Sequence, residues 1–277
     1  MKKYFIIPFA LLFLVSCEKE INIDLNQSNP RFVIEGNLSN VAGESNVKIS
    51  KTINFDEIIS NPSISGALVT ITDNTLNQID TLTETSAGIY FKPGITGLEG
   101  HTYTMMVNIG NEIFQAISTM PKSVNLDSLV QENLAGSGTG GGPGGSGGPG
   151  NPGKDRGSET SIQITPHYTD PSEFENYYQF VITRNDTLAD DIFIRNDVGF
   201  NGSSSHLPLR VKADKGDVVT IDLQCIDKSV YNYFFGLNEN INQSSATPAN
   251  PTSNINNGAL GYFKAHTSKK KTISIEY

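Results

Sequence analysis

The strongest constraint on the fold is a period of two. Tyr103, Met105, Val107 and Ile109 are apolar at every second position, and Gly110-Asn111 follows directly. A strand sends successive side chains to opposite faces, so this spacing predicts a half-buried strand rather than a helix. The Gly-Asn pair supplies a turn, and "EIFQAIST" behind it completes a hairpin. Shorter β-rich runs precede it, in "RFVIEGNL", "NVKISKTI" and "ALVTITDN", separated by Gly, Ser and Asn. Short strands at such spacing predict a β-sandwich, and this first unit covers residues 29–120.

Met120-Pro121-Lys122 marks a boundary, because proline cannot donate to a strand ladder and a new strand pattern opens in "VNLDSLV". The second unit, residues 121–277, is interrupted by a glycine-rich segment at 136–157. Such composition makes a flexible coil and would suit an interdomain linker. Its flanks, "VNLDSLVQE" and "TSIQITPHY", both read as strands, so a long loop inside the second domain is expected instead. The closure cost of such a loop grows only logarithmically with length. No Gly-Lys-Ser/Thr follows the glycines and no helix pattern opens behind them, which argues against a phosphate-binding loop. Further strands are expected in "NYYQFVITRND", "DDIFIRND", "LRVKA", "DVVTIDLQCID" and "KTISIEY". One helix interrupts them near 229–241, where Val230, Tyr233, Phe234, Leu237 and Ile241 keep helical spacing and Asp227 or Ser229 can cap the start. Its apolar stripe is expected to pack on a sheet.

The chain starts with Lys2-Lys3 and an apolar run from Tyr4 to Val15, broken only by Pro8. That run is shorter than the roughly 20 residues a membrane-spanning helix needs, and it reads as a secretory signal over residues 1–16. Leu14-Val15-Ser16-Cys17 resembles the lipobox of bacterial lipoproteins, in which the cysteine becomes the first mature residue and its sulfur is alkylated by a diacylglycerol group. Several acyl chains together, of the palmitate kind, anchor far more firmly than one. An ordinary signal peptide with an incidental cysteine is the alternative. Residues 17–28 then form a tether.

Cys225, the other cysteine, alternates with polar residues in "VVTIDLQCID" and is expected on the inward face of a strand as a small hydrophobe. A catalytic thiol needs an accessible, electropositive setting, and here Asp222 and Asp227 are the neighbours. The formal charge is −9, and loss of Lys2 and Lys3 with the leader makes the mature chain two units more negative. An acidic chain without a long basic patch is a poor nucleic-acid binder. Lys269-Lys270-Lys271 is expected as a solvated edge or turn before the final strand.

Three stretches resemble a group of Bacteroidota outer-membrane lipoproteins known as the domain of unknown function 4249 family. They are "CEKEINIDL" with "PRFVIEGNLSN", "ISGALVTITDN" with "GIYF" and "GLEGHTYTMMV", and "NPTSNINNGALGYFKAHT". The resemblance implies an immunoglobulin-like or transthyretin-like first module and covers nearly the whole chain from Cys17. The glycine-rich segment departs from it as an insertion. It also implies an accessory lipoprotein of the outer membrane, beside a TonB-dependent transporter. Glu18-Lys19-Glu20 resembles an export tag that places such lipoproteins on the cell surface, which favours the surface over the periplasmic face. Asp80-Thr81-Leu82, Asp127-Ser128-Leu129 and Asp186-Thr187-Leu188 resemble the Asp-Ser/Thr-aliphatic site used for O-glycosylation in these bacteria, with Thr187 first because "RNDT" reads as a turn.

No catalytic constellation emerges. His101, His167, His206 and His266 stand far apart and without metal-ligand spacing, and are expected to be solvated or at strand edges. The carboxylates of "ADKGD" belong to a turn with Gly216 at its tip and lack the regular oxygen spacing of a calcium loop. The serines of "GSSSHLP" have no nucleophile-elbow context. The chain is therefore expected to be no enzyme, to use no cofactor or metal, and to bind a ligand or partner, with a structural or adhesive surface protein as the other class. The aromatic groups Tyr177-Tyr178 and Tyr231 to Phe235 favour binding. The loop from Asn242 to Gly258 is the expected partner surface, through Asn254, Asn256 and Asn257. The other reading of these asparagines is that they serve turns wrapping the helix back onto the sheet.

Metabolic labelling with a fatty-acid analogue should mark the wild-type chain and leave Cys17→Ala unmarked. Equal labelling of the two would refute lipidation at Cys17.

Overall fold

The computed structural model describes residues 30–53, 62–133, 161–205, 207–241 and 250–276. Seven strands come first: β1 (Phe32–Ser39), β2 (Asn46–Lys51), β3 (Leu68–Asp73), β4 (Gln78–Ser86), β5 (Ile89–Phe91), β6 (Thr102–Ile109) and β7 (Glu112–Thr119). After them come β8 (Ser128–Asn133), β9 (Ser161–Thr169), β10 (Tyr177–Arg184), β11 (Thr187–Leu188), β12 (Phe193–Asn196), β13 (Ser204–Ser205), β14 (Leu209–Lys212) and β15 (Val218–Cys225). Helix α1 (Lys228–Ile241) and the fifteen-residue strand β16 (Leu260–Ser274) close the chain. The protein is mainly β, as two sandwich units with one helix among the described residues.

The first sandwich has one layer of β16, β1, β2 and β5, and another of β3, β6 and β7. Strand β4 belongs to both, pairing β3 through residues 78–82 and β5 through 83–86, with a register shift that turns the corner. Between the layers Ile34, Leu38, Val47 and Ile49 meet Ile71, Met105, Val107 and Phe114. Gly110 takes the positive φ that the β6–β7 hairpin turn requires.

The second sandwich sets β12, β10, β15 and the end of β16 against β8, β9, β13 and β14. Tyr178, Phe180, Ile221 and Leu223 there meet Ile162, Ile164, Tyr168 and Val211. Cys225 is in this core, and burial pushes its thiol up to about 11. Strands β8 and β9 pair antiparallel, with Asn133 opposite Ile162, so hydrogen-bonded strands flank the glycine-rich segment. The segment itself lies outside the described residues, as do residues 1–29 with Cys17.

Strand β16 joins the two units. Residues 260–266 run parallel to β1, and residues 267–274 run antiparallel to β15. Fifteen extended residues reach about 50 Å, longer than one small sandwich needs. The division at 120–121 therefore follows chain order, while packing returns Ile255, Ala259, Phe263 and Ala265 to the first core. The Lys269 to Lys271 run lies within β16, paired with residues 221–223 of β15 on one side only and with Lys270 and Lys271 exposed, so it is a solvated strand edge and not a turn.

Asp227 caps the helix by accepting the Val230 N–H at 3.0 Å. The same carboxylate accepts a hydrogen bond from Ser118 of β7, and the Ser118 hydroxyl accepts the Ala265 N–H at 2.9 Å. Helix start, first sandwich and shared strand thus meet at one point. Val230 and Phe234 are buried with Leu237, Tyr233 and Tyr262 around them. Ile241, expected on this stripe, is 60% exposed because the helix ends there.

Gly261 is where β16 enters the first sheet. Its φ is +95°, and a Cβ built there would lie 2.0 Å from the Ile34 carbonyl oxygen. Gly261→Ala should lower the unfolding free energy by about 2–4 kcal/mol in a denaturant melt, since neither backbone can yield. Gly43 shares the positive φ but faces open space. Gly43→Ala should therefore cost only about 1 kcal/mol. Equal losses would show that the β1–β16 approach is not tight.

Candidate functional site

The polar face of β16 builds the site. Lys264, His266, Ser268 and Lys270 occupy alternate positions, so they share one face while Phe263 and Ala265 point into the first core. Register places Asn37 beside Lys264, Ser39 beside His266, Gln224 beside Ser268 and Asp222 beside Lys270. Gln179 of β10 lies next to Gln224. Of these, Asn37, Gln179, Asp222, Gln224, Lys264, His266 and Lys270 line a groove of about 730 Å³, together with Phe234 and Tyr262 and with Asp186, Asp190 and Asp191. Groove residues come from both sandwiches and from the helix.

Lys264 is 4% exposed. Its Nζ donates to Gln179 Oε1 at 2.9 Å and to Gln224 Oε1 at 2.6 Å. Gln224 Nε2 in turn donates to Asp222 Oδ2 at 2.7 Å, and Ser268 Oγ donates to Asp222 Oδ1 at 2.6 Å. The Lys264 amine also stands 5.6 Å from the centre of the Phe234 ring and 5.9 Å from that of Tyr262. Burial pushes its pKa from 10.5 down to about 7, with Asp222 pulling the other way. An ammonium removed from water is costly unless its donors are all met, and two amide oxygens with two ring faces only partly replace hydration.

His266, expected to be solvated or at an edge, is 4% exposed in the middle of the sheet. Its Nδ1 has no hydrogen-bond partner among the described residues. Burial, reinforced by Lys264, holds its pKa well below 6.5, so the ring is neutral at pH 7. At the open end Lys270 pairs with Glu44. The groove therefore offers an amine, amide groups and a neutral imidazole over its floor, aromatic side walls and a carboxylate rim. That combination suits a neutral polar ligand carrying hydroxyl or amide groups.

The other anticipated residues lie elsewhere. Asn254 brackets Phe263, donating to its carbonyl at 2.8 Å and accepting its N–H at 2.9 Å. Asn256 Oδ1 accepts the Gln115 N–H at 2.7 Å, and Asn257 Nδ2 donates to the Ile113 carbonyl at 2.7 Å. All three amides thus tie the segment before β16 onto β7 and β16, the arrangement of a loop that serves the fold. Residues 242–249 of that loop lie outside the described residues, as does His206. Thr81, Ser128 and Thr187 are exposed and far apart in the topology, on β4, β8 and β11. Thr187 follows Asn185 and Asp186, both at positive φ in a tight turn. Asp217 of "ADKGD" accepts from Asp214 N and Asn185 Nδ2. His101 pairs with Asp73 at 2.7 Å. Among the described residues no three His, Cys, Asp or Glu side chains converge as metal ligands.

Lys264, His266, Gln179, Gln224 and Asp222 went unrecognised in the sequence. The available signal was "YFKAHTSKKK", polar at every second position, which marks a strand with one polar face. Only the packing of α1 and of β10 and β15 side chains around Lys264 shows that this face is buried.

A family model described as "Domain of unknown function (DUF4249)" matches residues 18–272. No curated protein matches the chain. Among solved structures, a two-domain fibronectin type III segment of chicken tenascin aligns with 89% of this chain and 99% of its own length. The identity is 9% and the TM-score 0.24, a likeness too low to carry any argument.

The buried amine sets the pH dependence. Between pH 7 and 9 the unfolded chain keeps a proton on Lys264 that the folded chain releases, so stability should rise with pH. Above pH 9 the Cys225 thiol, raised from 9.0, acts in the opposite direction. Below pH 6.5 the unfolded chain protonates His266 and the folded chain does not, so stability should fall as pH falls. Denaturant melts of Lys264→Met should lose the rise between pH 7 and 9. An unchanged slope would place the Lys264 amine in water.

Proposed function

The chain belongs to the family described as domain of unknown function DUF4249, and from that premise we propose that it is a non-catalytic outer-membrane lipoprotein that captures a polar ligand. The groove over β10, β15, β16 and β1 supports this reading most directly. Its volume of about 730 Å³ lies within the usual range of ligand pockets. Amide, amine and hydroxyl groups on its floor suit a partner rich in hydroxyls, and Phe234 and Tyr262, packed against each other, add an apolar wall. Asp186, Asp190 and Asp191 at the rim disfavour anions. A neutral oligosaccharide is the ligand class these features fit best. Lys264, Gln224, Asp222 and Ser268 hydrogen-bond one another in a chain, which favours binding over proton transfer to a substrate.

In this proposal Cys17 anchors the protein to the outer membrane, facing the cell surface, and a TonB-dependent transporter takes up what the groove holds. The lipobox-like leader and the resemblance to accessory lipoproteins support the anchor and the transporter. Among the described residues no helix is long and apolar enough to cross a membrane.

Val181 lies on the groove face, opposite Asp222, and is half-buried. Val181→Trp should fill the groove and leave both cores intact. On a glycan array the wild-type chain should retain neutral oligosaccharides, and Val181→Trp should weaken retention at least ~tenfold with an unchanged melt. Recovery of a transporter from detergent-solubilised outer membrane should be the same for both. No glycan retention by the wild type would overturn ligand capture. Absence of a transporter from the recovered material would overturn the partnership.

A further inference from the structure

A second cavity, of about 240 Å³, lies along β12 and meets the groove at Phe180 and Ile192. Its walls include Phe180, Ile192, Ile194, Leu207 and Leu209. Three polar side chains also line it, Arg195, Ser205 and Asn238. Arg195 sits on β12 opposite Tyr178, whose side chain is in the second core. The Arg195 guanidinium lies over the Phe200 ring, 4.2 Å from its centre. Arg195 Nη1, Ser205 Oγ and the hydroxyl of Tyr168 are all buried and lack a hydrogen-bond partner among the described residues. Ser205 is the strand partner of Tyr168, so the three groups belong to one neighbourhood.

Nearby carboxylates are committed elsewhere. Asp170 accepts from Tyr178 and from Gly202 N, and Asp197 accepts from Asn176 N. Among the described residues Arg195 forms no ion pair. Guanidinium cannot shed its proton at any ordinary pH, so its partial burial has to be met by an acceptor. Burial also pushes the Tyr168 phenol up to about 12, which keeps it a neutral donor. A guanidinium without a counter-ion, with the Ser205 and Tyr168 hydroxyls close enough to influence each other, stands beside an apolar cavity and complements one negative group with a small apolar tail.

We propose that this cavity binds a short aliphatic carboxylate, its carboxylate held by Arg195 and Ser205 with Tyr168 in support and its tail among Ile192, Ile194 and Leu207. The site adjoins the groove over Lys264, sharing Phe180 and Ile192 with it, but none of its polar groups lines that groove.

Butyrate and its neutral counterpart butanamide test the proposal on the full chain at constant ionic strength. Calorimetric titration should detect butyrate binding and no butanamide binding. Arg195→Gln should weaken butyrate at least ~tenfold, as loss of a charge-assisted pair predicts, and Arg195→Lys less. Ser205→Ala should weaken it several-fold with an unchanged melt, which keeps the test valid if Arg195→Gln fails to fold. Val181→Trp, which fills the other groove, should bind butyrate as the wild type does. Absence of wild-type binding at ~10 mM butyrate, equal binding of butanamide, or unaltered binding by Ser205→Ala and Arg195→Lys would overturn the proposal.

Discussion

Everything in this structure depends on how one strand is hydrogen-bonded. Strand β16 gives its first half to β1 in parallel and its second half to β15 in antiparallel register. The two sandwiches therefore share a continuous ladder and not a flexible hinge. Sharing has a local requirement, met by Gly261, where the strand backbone passes close to Ile34. It also has a consequence for side chains, because at the crossing point the first core lies under the strand while the helix and the side chains of β10 and β15 close over its other face. Phe263 and Ala265 use that burial to complete the first core. On the opposite face the same burial falls on Lys264 and His266.

Both features of functional interest arise from this layout. The groove exists because strands from two sandwiches lie side by side and the helix stands over them, its start held by Asp227 against Ser118 and the shared strand. Polar groups on the floor are mutually hydrogen-bonded, and the desolvated amine at their centre carries the electrostatic cost. A fold that needed only stability would gain by placing apolar side chains there, so the retained polarity is itself a reason to look for a ligand. The smaller cavity has the opposite character. Apolar walls surround a guanidinium that has no counter-ion among the described residues. One protein thus presents a wide polar groove and, adjoining it at Phe180 and Ile192, a narrow apolar cavity with a cationic end.

Local signals were legible wherever one stretch of chain determined its own state. Alternation and a Gly-Asn turn specify the β6–β7 hairpin, helical spacing behind Asp227 specifies α1, and alternation alone places Cys225 inward. The mainly β sandwich architecture follows from many such stretches together. What those signals describe is each strand's two faces, not what covers them. Asn254, Asn256 and Asn257 looked available for a partner because composition shows donors and acceptors and not where they point. In the folded chain their amides meet the backbones of β7 and β16.

The sequence by itself determined a β-rich chain, its strand-forming stretches, its one helix among the described residues and its family, because each rests on periodicity or on a run of neighbouring residues. Only the tertiary structure decided that the last strand belongs to both sandwiches, that Lys264 and His266 are buried, and that Arg195 faces a cavity without a counter-ion. Those outcomes depend on partners distant in the chain: Lys264 meets Gln179 85 residues away, and Asn37 of β1 is its strand neighbour. Polarity can be read from the residue itself, but desolvation is a property of what packs around it.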